Sequence, residues 1–200
     1  MTDAEFNELV EKVYKFHTKR APGIPIGVEM VLLAKEKLGD VKKLGAVTET
    51  QVCLSDAIQF LTGCTVGNKY LIMNDKIGRY ALTLYDRSNG RGIRVFVDMK
   101  KIDPAKMPET HKFFLRQRSP EVQSDDAARK ASAKIIVEEF MAAGRNIFGW
   151  QYVRMKNYDK DPVYPVKICP TCGESFIYSE KDSKNCLYCS RRLDYYVSEQ

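Results

Sequence analysis

Cys53-Leu54-Ser55-Asp56-Ala57-Ile58-Gln59-Phe60-Leu61-Thr62-Gly63-Cys64-Thr65-Val66-Gly67-Asn68 is a polar, cysteine-bearing segment in an otherwise apolar setting. Residues 54–61 have helical spacing and Gly63 closes them, while 45–52 before and 70–73 after read as strands. Cys53 therefore stands where a strand gives way to a helix. A thiolate at a helix N-terminus is stabilised by the peptide dipoles, so a lowered Cys53 pKa is expected, with Asp56 on the same face. A continuous helix would hold Cys53 and Cys64 about 16 Å apart. Cys53 is thus the ligand or nucleophile candidate, and Cys64 is expected to pack.

Outward from this segment, helices and strands alternate. Thr2 and Glu5 form a capping-box signature ahead of Phe6, Leu9, Val10 and Val13, and His17 falls on that apolar face. Pro22 and Gly23 stop this helix, and a second is predicted over 25–38 with Val28, Val31 and Leu32 inward and Gly39 at its end. Strands are predicted over 79–85 and 93–98, joined at Ser88-Asn89-Gly90, a hairpin signal. Ser124 is the predicted cap of a helix whose stripe is Ala133, Ile136, Val137, Phe140 and Met141, ending at Gly144. A strand is predicted over 149–155, a linker over 157–165, and His111 as an exposed residue near a helix start. The order ααβαβββα implies an α+β domain with helices on one face of a mixed sheet.

The C-terminal residues carry different chemistry. Cys169-Pro-Thr-Cys172-Gly173 and Cys186-Leu-Tyr-Cys189 are separated by 13 residues. Two thiolates at i and i+3 on a tight turn grip one side of a tetrahedral ion, and a second such turn completes a closed four-thiolate shell. Soft thiolates select zinc or iron, and residues 174–177 can supply a strand between the turns. A closed shell has no open position, so a structural role for zinc is expected, its binding supplying folding free energy that a small module lacks.

Composition bounds the rest. Of the 200 residues, 44% are hydrophobic and 29% charged, a globular mix that excludes disorder as the main state. The longest apolar run, 30–34, is far short of a membrane span. Residues 1–5 show no signal-peptide pattern, so a cytoplasmic chain without membrane association is expected. The net charge is +6. Beyond Val166, Lys167, Lys181, Lys184, Arg191 and Arg192 are balanced by Glu174, Glu180, Asp182, Asp194 and Glu199, so the excess lies in the body. Between Lys76 and Arg129 the basic residues interleave with Tyr80, Tyr85, Phe96, Phe113 and Phe114, but Asp86, Asp98, Asp103 and Glu109 interrupt them. A solvated mixed-charge face is expected there, rather than a nucleic-acid surface.

Phe16-His17, Pro22-Gly23 and Gly27, then the 53–68 segment, then Asp75, Gly78 and Arg94-Val95 resemble the formylmethanofuran dehydrogenase E-subunit family, as does a C-terminal four-cysteine module. The resemblance implies an α+β domain over 1–160 of the type shared with the catalytic domain of glyceraldehyde-phosphate dehydrogenase. It also implies a zinc-ribbon or treble-clef module over 165–200, and a homodimer. It further implies a cleft metal site at His17 and Cys53. The family motif usually runs Phe-His-Gly-His-x-Cys-Pro-Gly, whereas this chain has Lys19 in place of the second histidine and Ala21 in place of the cysteine. A lysine ammonium repels a cation and attracts an anion. His17 and Cys53 are therefore the candidate catalytic or metal-ligating residues, with Lys19, Asp56 and Gln59 as candidate substrate-binding groups and Arg20 as a further anion holder.

Two functional expectations follow. The first is a zinc-binding, metal-dependent or accessory protein of one-carbon or redox metabolism, in the class of oxidoreductase-associated subunits. The second is a zinc-ribbon protein that binds nucleic acid or a protein partner without catalysis. The neutral module suits protein docking better than phosphate contact.

Overall fold

A computed structural model describes residues 1–158, 164–178, 184–193 and 195–196. The chain divides into two compact units, Met1–Asp159 and Lys160–Gln200.

In the first unit, α1 (Asp3–His17) opens with the expected reciprocal cap: Glu5 N donates to Thr2 Oγ1 and Thr2 N donates to Glu5 Oε2. Phe6, Val10 and Val13 are its buried stripe. α2 (Gly23–Leu38) starts earlier than predicted, directly after Pro22, and ends at Gly39 with φ 74°. It is the most buried helix, lying against α3 (Leu54–Thr62) and the sheet strands β3 and β4, which are Ala81–Asp86 and Arg91–Val97. Leu32 is half-buried, and Leu33 takes the inward place expected of it.

The remaining strands are β1 (Leu44–Thr48), β2 (Leu71–Met73) and β5 (Phe148–Arg154), in the sheet order β2-β1-β3-β4-β5. Only the β1–β2 pair is parallel, joined through α3, so the sheet is mixed. Register sets the core: Leu71, Ala46, Leu84 and Ile93 stand opposite one another across four strands. They join Ile24, Val28, Val31, Leu54 and Ile58 of the helices in one cluster. On the other face the Tyr85 ring covers Gly45, its cross-strand partner, and the Phe96 ring covers Gly149 in the same way. These rings fill the space a side chain would have taken.

β1 is shorter than the predicted 45–52, because polar side chains capture the chain beyond Thr48. Thr48 Oγ1 and Ser55 Oγ both donate to the Thr50 carbonyl, at 2.8 and 3.0 Å, which turns the backbone into α3. Two short helices, α4 (Pro108–Phe114), whose start beside His111 was expected, and α5 (Pro120–Ser124), not predicted from the sequence, precede α6 (Asp126–Ala143). Ser124 ends α5, and Asp125 caps α6 by accepting from Ala128 N at 2.7 Å. Met141, expected in the α6 stripe, is exposed, while Ile136, Phe140 and Ser132 are buried. His111 lies within α4 and is half-buried, not exposed. Glu139 of α6 accepts from the backbone N–H groups of Glu109 and Thr110, satisfying the first turn of α4.

In the second unit, β6 (Val166–Ile168) and β7 (Ser175–Ile177) form an antiparallel pair. Part of the predicted 157–165 linker, residues 159–163, lies outside the described residues. Among the described residues no helix is long and apolar enough to cross a membrane.

Candidate functional site

The first cluster forms where the end of α1, the start of α2 and the start of α3 meet. His17 Nδ1 lies 2.6 Å from Asp56 Oδ2, and Gln59 Nε2 donates to Asp56 Oδ1 at 3.2 Å. Both carboxylate oxygens are thus engaged, and Asp56 faces the histidine rather than an open site. Gln59 is bound at both ends, since its Oε1 accepts from Val66 N at 3.3 Å. Asn68 holds the same loop, accepting from the N–H groups of Thr65 and Tyr70 and donating to the Gly63 carbonyl. The polar residues of the 53–68 segment therefore organise a helix–loop corner that presents His17 with one ring nitrogen fixed. With Nδ1 committed to the carboxylate, Nε2 is the nitrogen left for chemistry.

Cys53 precedes the first residue of α3, as expected, but its thiol behaves otherwise. Burial pushes its pKa up and the Asp56 charge adds to the rise, overriding the helix-dipole effect that pointed to a lowered value. The cause is tight packing at the head of α2. A Cβ added at Gly23 would stand 2.8 Å from Tyr80 Oη and 3.1 Å from Cys53 Sγ. Tyr80 Oη donates to the Gly23 carbonyl at 2.7 Å, and burial raises its pKa well above the ordinary phenol value, with Cys53 adding to it. Tyr14 is shifted the same way, chiefly by burial. Cys64 packs, as expected, its thiol directed at the Leu44 carbonyl.

Lys19 is exposed after the left-handed Thr18 that ends α1. Arg20 does not hold an anion as expected: its two terminal nitrogens bind the Glu11 carboxylate at 2.9 and 2.5 Å, and it stacks on Tyr14. Tyr85, one of the interleaved aromatics, is buried rather than displayed.

A second cluster had little sequence signal. Glu49, 6% exposed, accepts from Arg94 Nε and Nη2 at 2.6 and 2.9 Å and from Arg79 Nε at 2.7 Å. Burial opposes its charge, but the Arg94 and Arg79 guanidiniums outweigh this and hold the carboxyl below the usual range. Arg94-Val95 figured in the family resemblance, and the alternation of Arg94 with inward Ile93 and Val95 marks this second face of β4, but nothing in the sequence pointed to Glu49 or Arg79 as its partners.

The third cluster lies in the C-terminal unit. The Sγ atoms of Cys169, Cys172, Cys186 and Cys189 all lie within 4.8 Å of one another. Four sulfurs at about 2.3 Å from a central ion stand roughly 3.8 Å apart, so the set fits a tetrahedral thiolate shell. Each turn is built for it. Gly173, at φ 77°, lets its N–H return to the Cys169 carbonyl, Cys186 N donates to Cys169 Sγ, and Cys189 N donates to Cys186 Sγ. N–H groups of Cys186 and Cys172 bring the Cys169 thiol down to about 6, while the Cys186 sulfur and burial push Cys189 up to about 12. Such crowding of sulfurs is relieved by a cation. Among the described residues this is the only group of three or more His, Cys, Asp or Glu side chains whose ligand atoms converge.

Comparison with known proteins places these clusters. The family described as FmdE, molybdenum formylmethanofuran dehydrogenase operon, matches residues 16–150, a span that takes in His17, Glu49, Cys53 and Asp56 but not the four cysteines. The crystal structure of a tungsten formylmethanofuran dehydrogenase FmdE-like protein from Syntrophus aciditrophicus is 33% identical, covering 96% of this chain and 95% of that one, with a TM-score of 0.77. A protein of Archaeoglobus fulgidus described as a "Probable S-adenosyl-L-methionine-binding protein" is 27% identical over 205 residues, covering 94% of this chain. The chain spans about half (54%) of that relative's length.

Proposed function

The chain belongs to the FmdE family, and from that premise we propose that it is a metal-binding protein of one-carbon redox metabolism with one structural zinc and a proton-transfer cleft. The four-cysteine shell is closed, so zinc there supplies folding free energy to the C-terminal unit and no chemistry. In the cleft, His17 is the general base or acid, presenting Nε2, and Asp56 is its positioning residue. Cys53 is a neutral, half-buried thiol three residues before Asp56. Lys19, exposed at the end of α1, is the group that draws an anionic substrate to the mouth. The observation that carries this reading is the Asp56 carboxylate, whose two oxygens are used by His17 and Gln59.

A resident cleft ion does not fit this donor set. Lys19 and Ala21 stand where the family pattern has two ligands, both Asp56 oxygens are engaged by His17 and Gln59, and among the described residues His17 and Cys53 belong to no group of three converging ligand atoms. Metal content per chain tests the reading. One ion is expected in the wild type, retained by Cys53→Ala and His17→Ala and lost in Cys169→Ser/Cys172→Ser. Two ions per chain, one of them lost with Cys53→Ala, would overturn the cleft assignment. Zinc as the ion found distinguishes the structural site from an iron centre. In this proposal the chain acts as a homodimer in the cytoplasm, and light scattering of the zinc-loaded protein checks the dimer.

A further inference from the structure

Where the chain enters β3 and leaves β4 there is a pocket of about 410 Å³, within the range of small-ligand sites. Its walls include Arg79, Tyr80, Arg94, Phe96, Met99 and Phe114. The Tyr80 and Phe114 rings meet edge to face at 5.2 Å, and the Arg94 guanidinium lies 4.8 Å from the Phe96 ring centre. None of the residues placed in the proton-transfer cleft lines this pocket, although Tyr80 forms the wall between it and Cys53.

We infer that this pocket binds a monoanionic aromatic carboxylate, its ring between Phe96, Tyr80 and Phe114 and its carboxylate on the guanidiniums of Arg79 and Arg94. Three observations carry this. The first is donor supply: a guanidinium has five N–H groups. Among the described residues Glu49 takes two from Arg94 and one from Arg79, so seven donors remain on pocket-lining residues. The second is preorganisation. The forked contact with Glu49 and the Phe96 ring hold Arg94, only 13% exposed, in one orientation, so little conformational entropy is lost when a ligand arrives. The third is charge. Two guanidiniums against one buried carboxylate leave a single positive charge, which matches a monoanion rather than a dianionic phosphate ester. The aromatic walls select a flat ring over an aliphatic acid.

Benzoate is the probe. Its binding to the full chain is followed by amide and aromatic resonance shifts, with benzamide as the neutral isostere, acetate as the ringless anion and phenyl phosphate as the dianion. Benzoate is expected to shift resonances of Tyr80, Phe96 and Phe114 and to bind about tenfold or more tightly than benzamide, acetate or phenyl phosphate. Arg79→Gln is the safe variant, since the Arg79 side chain is 62% exposed and Arg94 still pairs Glu49; it should weaken benzoate about tenfold and leave benzamide unchanged. Arg94→Lys keeps the charge but loses the fork, and should weaken benzoate while preserving the fold. The inference is overturned if benzoate shifts no pocket resonance at millimolar concentration. It is equally overturned if benzamide or phenyl phosphate binds as well, or if Arg79→Gln binds benzoate like the wild type. Because the readout is binding, it stands or falls separately from proton transfer in the cleft.

Discussion

His17 on α1 and Asp56 on α3, 39 positions apart in sequence, meet through a 2.6 Å contact between Nδ1 and Oδ2. A carboxylate at Nδ1 favours, among the two neutral tautomers, the one with its proton on Nδ1 and Nε2 as the acceptor. Long-range nitrogen–proton spectra should therefore show one dominant tautomer in the wild type and a mixture in Asp56→Leu. The stability coupling in a His17→Gln/Asp56→Asn cycle should be about 1 kcal/mol or less, because both side chains are partly solvated. No measurable coupling, or no change of tautomer, would contradict the positioning role.

Cys53 is predicted to be a slow nucleophile. Its thiol pKa is raised by burial, so at neutral pH alkylation by iodoacetamide should lag far behind that of an unfolded control. The same shift makes a stability prediction. Above the ordinary thiol range the unfolded chain releases this proton while the folded chain retains it, so stability falls as pH rises through that range. Cys53→Ala should remove this component of the slope.

Glu49→Ala should be among the most damaging single substitutions in the first unit. It leaves the largely buried Arg94 guanidinium without its partner, a loss of about 3 kcal/mol in denaturant unfolding. Glu49→Gln should cost less, because a neutral acceptor remains. In the wild type the Glu49 carboxyl is held below the usual range, so its contribution is complete above the ordinary carboxylate pKa and is lost as pH falls below it.

Thr110→Val should be neutral or stabilising. Thr110 is fully buried and among the described residues its Oγ1 has no hydrogen-bond partner, while its backbone N–H is held by Glu139. Removing an unpaired buried hydroxyl at constant shape removes a desolvation penalty of about 1 kcal/mol or more. Glu139→Ala, by contrast, leaves the first turn of α4 uncapped and should destabilise by about 1 kcal/mol. Unfolding midpoints in urea at unchanged m-value check both.

Metal removal should act on one unit. A strong chelator should collapse the β6–β7 resonances of the four-cysteine unit while the first unit keeps its dispersed spectrum. Reloading should release protons, because thiols such as that of Cys189, pushed up to about 12, must ionise to bind. A chelated protein with an unchanged C-terminal spectrum would rule out a metal as the source of that unit's order.

What the sequence determined alone was local or periodic. The Thr2–Glu5 cap, the Gly39 and Gly63 stops, the β3–β4 hairpin and the paired cysteine turns each depend on residues a few positions apart, so their signals survive in one dimension. The 53–68 segment belongs with them, because Gln59 and Asn68 bond within their own helix and loop. Tertiary structure alone decided how those groups are used. Asp56 was visible as a cleft residue, yet only the approach of α1 turned it toward His17. Cys53 was visible as a helix-start thiol, yet the packing of Gly23 and Tyr80 reversed the direction of its pKa. Glu49, Arg79 and Arg94 lie on three separate segments, and only strand register brings them together. Dipoles and caps act over a turn and can be read from spacing, whereas burial and charge pairing depend on which distant segments the sheet and helices bring into contact.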